Sequence, residues 1–87
     1  LISLGVVQRK QGKIKSARSS LTKAVDLDPE NPVARFNLGV LMVDDFKRPN
    51  VALRLFHEVV QSSQSESNIS AKATSYIRDI KESSGVY

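Results

Sequence analysis

Apolar and small residues recur every three or four positions in the first part of the chain, which is the spacing of one face of an α-helix. Two such runs follow one another, and Gly12 lies between them. The runs are Leu1, Leu4, Gly5 and Gln8, then Ile14, Ala17, Leu21, Ala24 and Val25. Because an isolated glycine commonly marks a helix end or a turn, the pattern predicts two antiparallel helices joined by a short connection at Gly12.

The same pattern returns further along the chain. The pair Leu4-Gly5 recurs as Leu38-Gly39, 34 residues on. After a slip of one residue, three more positions recur at an interval of 35, so that Ala17, Leu21 and Ala24 correspond to Ala52, Phe56 and Val59. A period in this range is typical of stacked helical repeats. The extra residue is predicted in the polar connection of the second copy, between positions 44 and 50.

Proline and asparagine mark the place where the two copies join. The segment Asp28-Pro29-Glu30-Asn31-Pro32 cannot continue a helix, since proline lacks a backbone N–H and disfavours helical geometry in the residue before it. Asn31 is a favourable N-cap, and Pro32 suits the first helical position. The first helix of the second copy is therefore predicted to begin at Pro32.

Two more helices complete the pattern. Pro49 suits the first turn of a helix that runs to about Ser62. The predicted buried face of this helix is Ala52, Phe56, Val59 and Val60. After a serine-rich connection, a fifth helix is expected from about Asn68 to Ser83, and its apolar face is Ala73, Tyr76, Ile77 and Ile80. This last segment is either the first helix of a third repeat or a terminal cap.

The order of small and large residues in the first copy follows a known repeat pattern. Its features are Leu4-Gly5, then Ala17 and Leu21 four positions apart, then Pro29. In this order the chain resembles the tetratricopeptide repeat (TPR) family. The second copy departs from the family at Arg35, where tryptophan is frequent, at Met42, where tyrosine is frequent, and at Phe46, in the turn that holds Gly12 in the first copy. The likeness covers essentially the whole chain, and it is weakest in the last helix.

The resemblance implies an all-α fold, a right-handed α-solenoid of antiparallel helix pairs with about five helices. Repeat one would span residues 1–31, repeat two residues 32–67, and the further helix residues 68–87. Gly5 and Ala17 are expected where the helices of the first pair cross, and Gly39 has the same role in the second pair. A minimal side chain there lets two helices approach to the short end of the usual ~8–10 Å separation.

The chain shows no pattern typical of catalysis or metal binding. His57 is the single histidine and falls off the predicted buried face of its helix, and cysteine is absent. Asp44-Asp45 lie in a predicted solvated turn with no histidine or third carboxylate nearby in the sequence. The scattered serines and glycines form neither a catalytic triad nor a phosphate-binding loop. We therefore predict that the protein is not an enzyme and uses no cofactor or metal.

Length and apolar content set further bounds. Eighty-seven residues suffice for one domain with a modest core. No apolar run approaches the ~18 residues that predict a transmembrane helix, and no signal peptide is visible. The chain begins without methionine and inside a helical pattern, so we expect a piece of a longer protein whose upstream part could carry a targeting sequence.

Positive charge is concentrated at the start of the chain. The formal net charge is +4, yet six basic residues precede the first acidic residue, Asp26. They are Arg9, Lys10, Lys13, Lys15, Arg18 and Lys23, of which the first five form the predicted basic surface. This asymmetry fits either a solvated outer face or an acidic partner such as nucleic acid or an acidic membrane. Nucleic acid is disfavoured, because the segment has no aromatic residue to stack on bases and no groove-reading motif.

A stacked helical array has a concave side lined by the first helix of each repeat, and function is expected there. In TPR proteins that grip the C-terminal carboxylate of a peptide, this groove carries a clamp of lysine, arginine and asparagine side chains. The corresponding positions here are Ile2, Val6, Asn37, Ala71 and Ser75, and only Asn37 matches. The comparison argues against a carboxylate clamp, because the neutralising charges are absent.

The predicted groove is apolar instead. Its partner-binding residues are Ile2, Val6, Phe36, Asn37, Val40 and Val43, with Val33 near the rim. Clustered exposed apolar groups usually mark an interaction site. The predicted function is therefore a protein-interaction scaffold that binds a peptide or helix of a partner, with Phe36 and Val40 at the centre and Asn37 hydrogen-bonding the ligand backbone.

Two alternatives give the apolar surface of the chain another role. The groove could pack against repeats outside this chain rather than against a ligand. The chain could also self-associate through its terminal helices, because Tyr76, Ile77 and Ile80 are expected to lack the second helix of their repeat. In that case the domain would be an oligomerisation element.

Overall fold

The computed structural model describes residues 1–62 and 66–84, and these residues form helices joined by short connections. The helices are α1 (Ile2–Lys10), α2 (Ile14–Leu27), α3 (Pro32–Asp44), α4 (Pro49–Gln61) and α5 (Ser67–Ser84). The prediction of an all-α chain with about five helices is confirmed. The helix boundaries lie within one or two residues of those expected from the sequence. The predicted end of the chain, from position 85, lies outside the described residues.

The helices pack in the order in which they occur in the chain. Each one contacts the next, and α3 also contacts both α1 and α5. Within the described ranges α2 and α4 make no such direct contact. The array therefore has an inner layer of α1, α3 and α5, whose members touch, and an outer layer of α2 and α4, whose members are held apart. We call the exposed surface of the inner layer the concave face.

The core repeats with the interval of 35 residues found in the sequence. All six residues paired at that interval, in α2 and α4, are buried: Ala17, Leu21, Ala24, Ala52, Phe56 and Val59. The predicted buried face of α4 is wrong at one residue. Val60 is 40% exposed, and Leu55 is buried instead. Val60 lies about 100° around the helix from Val59 and so falls beside the buried stripe, whereas Leu55 lies one turn before Val59 and within it.

The two helix pairs cross at glycines, as predicted. A Cβ atom added to Gly5 would lie 2.6 Å from Cγ of Leu21, and one added to Gly39 would lie 2.8 Å from Cε1 of Phe56. Gln8, the polar member of the α1 stripe, accepts a hydrogen bond of 2.7 Å from Ser20 Oγ on α2. Since carbon atoms do not approach below about 3.5 Å without repulsion, only glycine permits the close contacts at Gly5 and Gly39.

The turn inside each pair explains the slip of one residue between the copies. The α1–α2 turn covers residues 11–13, and the α3–α4 turn covers residues 45–48. Both end in an equivalent bond, since Lys13 N–H donates to the Gln8 carbonyl and Arg48 N–H donates to the Met42 carbonyl, each at 2.8 Å. The extra residue thus lies in the second turn, as predicted.

Both turns contain one residue with positive φ. Gly12 has φ +80°, and Gly12 N–H donates to the Arg9 carbonyl at 3.0 Å, which completes the usual glycine-ended helix terminus. In the second turn the residue with positive φ is Lys47, at φ +56°. Lys47, rather than Phe46, is therefore the structural counterpart of Gly12. Counting 34 residues from Gly12, the interval that holds between α1 and α3, gives Phe46. The interval has already become 35 residues at this point of the turn, which gives Lys47.

The start of α3 and the position of α5 complete the fold. Asn31 caps α3 as predicted, accepting a hydrogen bond of 2.9 Å from Val33 N–H. Ile77 and Ile80 of α5 are buried, and Tyr76 is half-buried, because α3 and α4 cover them. This face of α5 is therefore packed within the array rather than exposed, although no second helix of a third repeat lies in the described ranges. Whether α5 begins a third repeat or caps the array stays a prediction.

The exposed apolar surface lies at the other end of the array. Leu4 and Val7 are about half exposed, whereas their counterparts in α3, Leu38 and Leu41, are buried. The difference arises because α2 covers that face of α3, while no described helix covers the same face of α1. Self-association stays a prediction, and its surface would be this face of α1 rather than α5.

The two turns predict opposite effects of glycine substitutions. Lysine in the left-handed region is strained by roughly 1 to 2 kcal/mol, and glycine relieves this strain at a smaller entropic cost. We expect Lys47→Gly to raise the free energy of unfolding by about 0.5 to 1 kcal/mol and Gly12→Ala to lower it by about 1 kcal/mol. Urea unfolding followed by circular dichroism measures both. Arg48→Gly is the control, since Arg48 has φ −117° and gains nothing. A loss of stability in Lys47→Gly would contradict the turn geometry.

Candidate binding surface

The six predicted partner-binding residues lie on α1 and α3, the first two helices of the inner layer. Ile2 and Val6 are one turn apart on α1, and the other four residues are on α3. All six are half-buried, as expected for side chains at the floor of an open surface. They do not form one site, however, because five of them are divided among three environments and Ile2 packs against the hydrophobic core.

A small pit between α1 and α3 brings together Val6, Asn37 and Val40. The pit has a volume of about 60 Å³, and Gly5, Arg9, Lys10 and Leu21 complete its lining. We call it the α1–α3 pit. Its floor is apolar and its α1 rim is basic. This is the part of the predicted groove that the structure assembles.

Asn37 is held in place by its own helix. Its side-chain Nδ2 donates a hydrogen bond of 3.1 Å to the carbonyl of Val33, one turn earlier. No described residue donates to its amide oxygen. Asn37 thus presents a hydrogen-bond acceptor at the α1–α3 pit.

Phe36 is part of an aromatic cluster rather than of this pit. Its ring packs edge-on against Phe56 of α4 and Tyr76 of α5, with centroid distances of 5.8 and 6.0 Å. Phe56 and Tyr76 are stacked, 4.8 Å apart and inclined by 14°. Phe36 therefore joins three helices. The sequence placed Phe36 at the centre of a peptide site, but Phe36→Ala would disturb the packing of α5 as well as any bound ligand.

Val43 lines a larger cavity, one turn further towards the end of α3. This cavity has a volume of about 390 Å³ and lies between the end of α3, the start of α4 and the last turns of α5. Its lining is Val43, Asp44, Pro49, Tyr76, Asp79, Ile80 and Ser83. We call it the α3–α5 cavity. Sequence reasoning did not bring its two carboxylates together, because the helical pattern does not show how α5 lies against the end of α3.

Arg9 connects α1 to the end of α3. Its Nε donates to Asp45 Oδ2 at 2.6 Å, and its Nη2 lies 3.4 Å from Asp44 Oδ2. The hydrogen bond to Asp45 raises the pKa of Arg9 above its ordinary value. Arg9 is therefore not a free member of the basic surface, and Asp44-Asp45 are not simply a solvated turn. Asp44 directly follows Val43, the counterpart of Arg9 at the 34-residue interval, so the repeat could have predicted that Arg9 and Asp44 lie close together.

The rest of the predicted basic surface is exposed. Lys10, Lys13 and Lys15 have no ion-pair partner among residues 1–62 and 66–84, and all three are exposed. The guanidinium of Arg18 lies 4.7 Å from the centre of the Phe46 ring, a distance typical of a cation–π contact. The basic surface is thus smaller than the sequence suggested, and one of its members packs against an aromatic ring.

Tyr76 stands between the aromatic cluster and the α3–α5 cavity. Burial raises the pKa of Tyr76 above the ordinary 10.0, the negative charge of Asp44 raises it further, and Arg9 acts in the opposite direction. The neutral phenol is therefore the favoured form at the wall of the cavity. A phenolate would be disfavoured next to the two carboxylates.

Comparison with known proteins agrees with this architecture. Residues 5–44, which cover most of α1 and all of α2 and α3, match the family model for the TPR repeat. This segment is a TPR repeat, and the five helices form a TPR-like arrangement. TPR proteins are generally scaffolds for protein–protein interaction and not enzymes. No curated protein and no solved structure gives a significant match to the chain.

Two further properties bear on what the TPR-like array can bind. In the described part of the chain, no three histidine, cysteine or carboxylate side chains come close enough together to hold a metal ion. None of the described helices is long and apolar enough to cross a membrane.

The environment of Tyr76 can be tested by titration. In a Tyr87→Phe background, Tyr76 is the only tyrosine, and its phenolate absorbance should report a pKa above 10.0. Asp44→Asn should lower this pKa without returning it to the ordinary value, because burial is the larger cause. Asp26→Asn, on the exposed side of α2, is the control and should have no effect.

The same shift sets the pH dependence of stability. A raised pKa favours the neutral phenol in the folded state, so Tyr76 contributes stability that is lost as the pH rises above about 10. Tyr76→Phe should remove this alkaline loss. A Tyr76 pKa at or below 10.0, or a Tyr76 pKa that does not change in Asp44→Asn, would contradict the structure.

Proposed function

We propose that this TPR-like chain binds a short segment of a partner protein on its concave face, with an apolar side chain of the segment in the α1–α3 pit. The observation that supports this most is the meeting of Val6, Val40 and Asn37 around one open pit. Two of these residues offer apolar surface, and the third offers an acceptor. This combination suits a peptide, which brings both apolar side chains and backbone N–H groups.

The binding energy would come mainly from apolar burial. Removing an aliphatic side chain from water contributes on the order of 1.5 to 3 kcal/mol. The amide oxygen of Asn37 would accept a backbone N–H of the segment and set its register. Because Nδ2 of Asn37 already bonds to Val33, this oxygen is held ready and little ordering cost remains.

The alternative function is anion binding through Lys10, Lys13 and Lys15. The pairing of Arg9 with Asp44 and Asp45 weakens this alternative, since it takes one positive charge from the surface. Binding through phosphate neutralisation weakens steeply with salt, whereas apolar binding hardly changes. Salt dependence therefore separates the two functions.

A selected peptide gives the direct test. A library of random short peptides is selected on the wild-type chain, and the tightest peptide is titrated by calorimetry against Val6→Asp and Val40→Asp. Each variant places a charge in the apolar pit and should weaken binding at least about tenfold, or 1.4 kcal/mol. Val60→Asp is the matched control, because it adds the same charge at a valine that is 40% exposed on α4. Helicity and the unfolding midpoint of every variant are measured alongside.

The outcomes are distinct. Loss of binding in both pit variants with little change in Val60→Asp supports the proposal. No selected peptide, or equal binding by all three variants, contradicts it. Binding that collapses with added salt and depends on Lys10 and Lys13 would instead establish anion binding. Concentration-dependent dimerisation abolished by Leu4→Asp would point to an oligomerisation element.

A further inference from the structure

We propose that the α3–α5 cavity receives a lysine or arginine side chain of the bound segment. This inference rests on the proposed function, since it concerns the same segment on the same concave face. It adds the chemistry of a second contact, so that the partner would carry one apolar and one basic residue.

The cavity has the two kinds of surface that a long basic side chain needs. Val43, Pro49 and Ile80 offer apolar wall, while Asp44 and Asp79 offer carboxylates. Lysine and arginine side chains carry an aliphatic stem behind a charged head, and they bury the stem while the head finds a polar partner. A volume of about 390 Å³ leaves room for one such side chain.

The negative charge of the cavity is balanced only in part from within the array. No lysine or arginine lines it. Arg9 makes its short contact of 2.6 Å with Asp45, which does not line the cavity, and reaches Asp44 only at 3.4 Å. Asp79 has no ion-pair partner among the described residues. An incoming cation would therefore meet one free carboxylate and one weakly paired carboxylate.

The wall opposite α3 is held rigidly. Tyr76 is stacked on Phe56, which is fully buried, and the edge of Phe36 supports it. The neutral state of Tyr76 leaves its hydroxyl able to donate or accept a hydrogen bond. A site on rigid helices with a fixed wall loses little entropy when a side chain enters.

The charge of the whole chain limits the kind of segment. The formal net charge is +4, so a strongly basic partner would be repelled at long range. The cavity is an acidic exception on a basic protein. A segment with a single basic residue therefore fits better than a polybasic one.

The geometry also sets a spacing in the partner. Val40 of the pit and Asp44 of the cavity are four residues apart on α3, about 6 Å along its axis. Both residues project from the same face of α3, because four residues are about one helical turn. An axial distance of about 6 Å corresponds to about two residues of extended chain at about 3.3 Å each. We therefore expect the basic residue about two positions from the apolar anchor.

Peptide selection on the wild-type chain, followed by a double-mutant cycle, tests the inference. The selected peptides should be enriched in lysine or arginine at that spacing. The best peptide and its variant with norleucine at the basic position are titrated against the wild type, Asp79→Asn and Glu82→Gln. Glu82 is the matched control, because it is an exposed carboxylate of α5 outside the cavity.

Asp79→Asn should weaken the basic peptide by about tenfold, the loss expected for one charge-assisted hydrogen bond in a partly buried site. It should leave the norleucine peptide unchanged, and Glu82→Gln should affect neither peptide. Asp79→Lys combined with a glutamate at the basic position of the peptide should restore binding. This rescue is a result that general destabilisation of the fold cannot produce.

Two failures can be told apart. The cavity proposal is wrong if the selected peptides are not enriched in lysine or arginine and their affinity is unchanged in Asp79→Asn. If their affinity still falls in Val6→Asp and Val40→Asp, the pit remains the binding site. If binding ignores the pit variants, the proposed function itself is wrong. Equal weakening by Asp79→Asn and Glu82→Gln would indicate general charge attraction and would also overturn the cavity proposal.

Discussion

The close approach of α3 and α4 at Gly39 is the contact on which the concave face depends. With no side chain at Gly39, the Phe56 ring lies where a Cβ atom would be 2.8 Å away. From that position Phe56 stacks on Tyr76 and meets the edge of Phe36. The stack seats α5 against α3 and α4 and makes Tyr76 a wall of the α3–α5 cavity. The absence of a side chain at Gly39 thus helps to position α5, which begins 28 residues further along the chain.

The first pair uses the same contact with a different result. Gly5 admits Leu21, an aliphatic side chain with no ring to stack. The neighbouring surface is correspondingly a small pit between α1 and α3 rather than a walled cavity. Arg9 then ties the end of α1 to the end of α3 through Asp44 and Asp45. The two repeats share a backbone plan, and the residues that differ between them give the concave face two unlike sites.

Local features were predictable from the sequence because each depends on neighbours within one or two turns. The N-cap at Asn31, the crossing glycines and the core positions of α2 and α4 belong to this class. The predicted burial of Val60 is wrong because Val60 lies at the edge of the buried stripe of α4, where a small rotation of the helix decides burial. Lys47 was missed because a positive φ at a lysine leaves no mark in the sequence.

The candidate site was predictable only in part, since it depends on how helices from different repeats face each other. Val6, Asn37 and Val40 do meet, as expected for neighbouring positions of the inner layer. Phe36 packs against α5 and Val43 lines a separate cavity, because the position of α5 against α3 is not encoded in the apolar spacing of either helix. Asp79 lies on α5 among other polar residues, and only its position beside Asp44 makes it a candidate contact.

Substitution of Gly39 by alanine measures this dependence most directly, with stability and the Tyr76 titration as paired readings in a Tyr87→Phe background. The added methyl group must displace Phe56, which should cost about 1 to 3 kcal/mol, against a gain of about 1 kcal/mol in helix propensity. We expect a net loss of stability and a Tyr76 pKa that moves towards 10.0, because the ring loses its buried seat. Ser16→Ala, on the exposed face of α2, should change neither reading. A Gly39→Ala protein as stable as the wild type, with the Tyr76 pKa unchanged, would contradict the account.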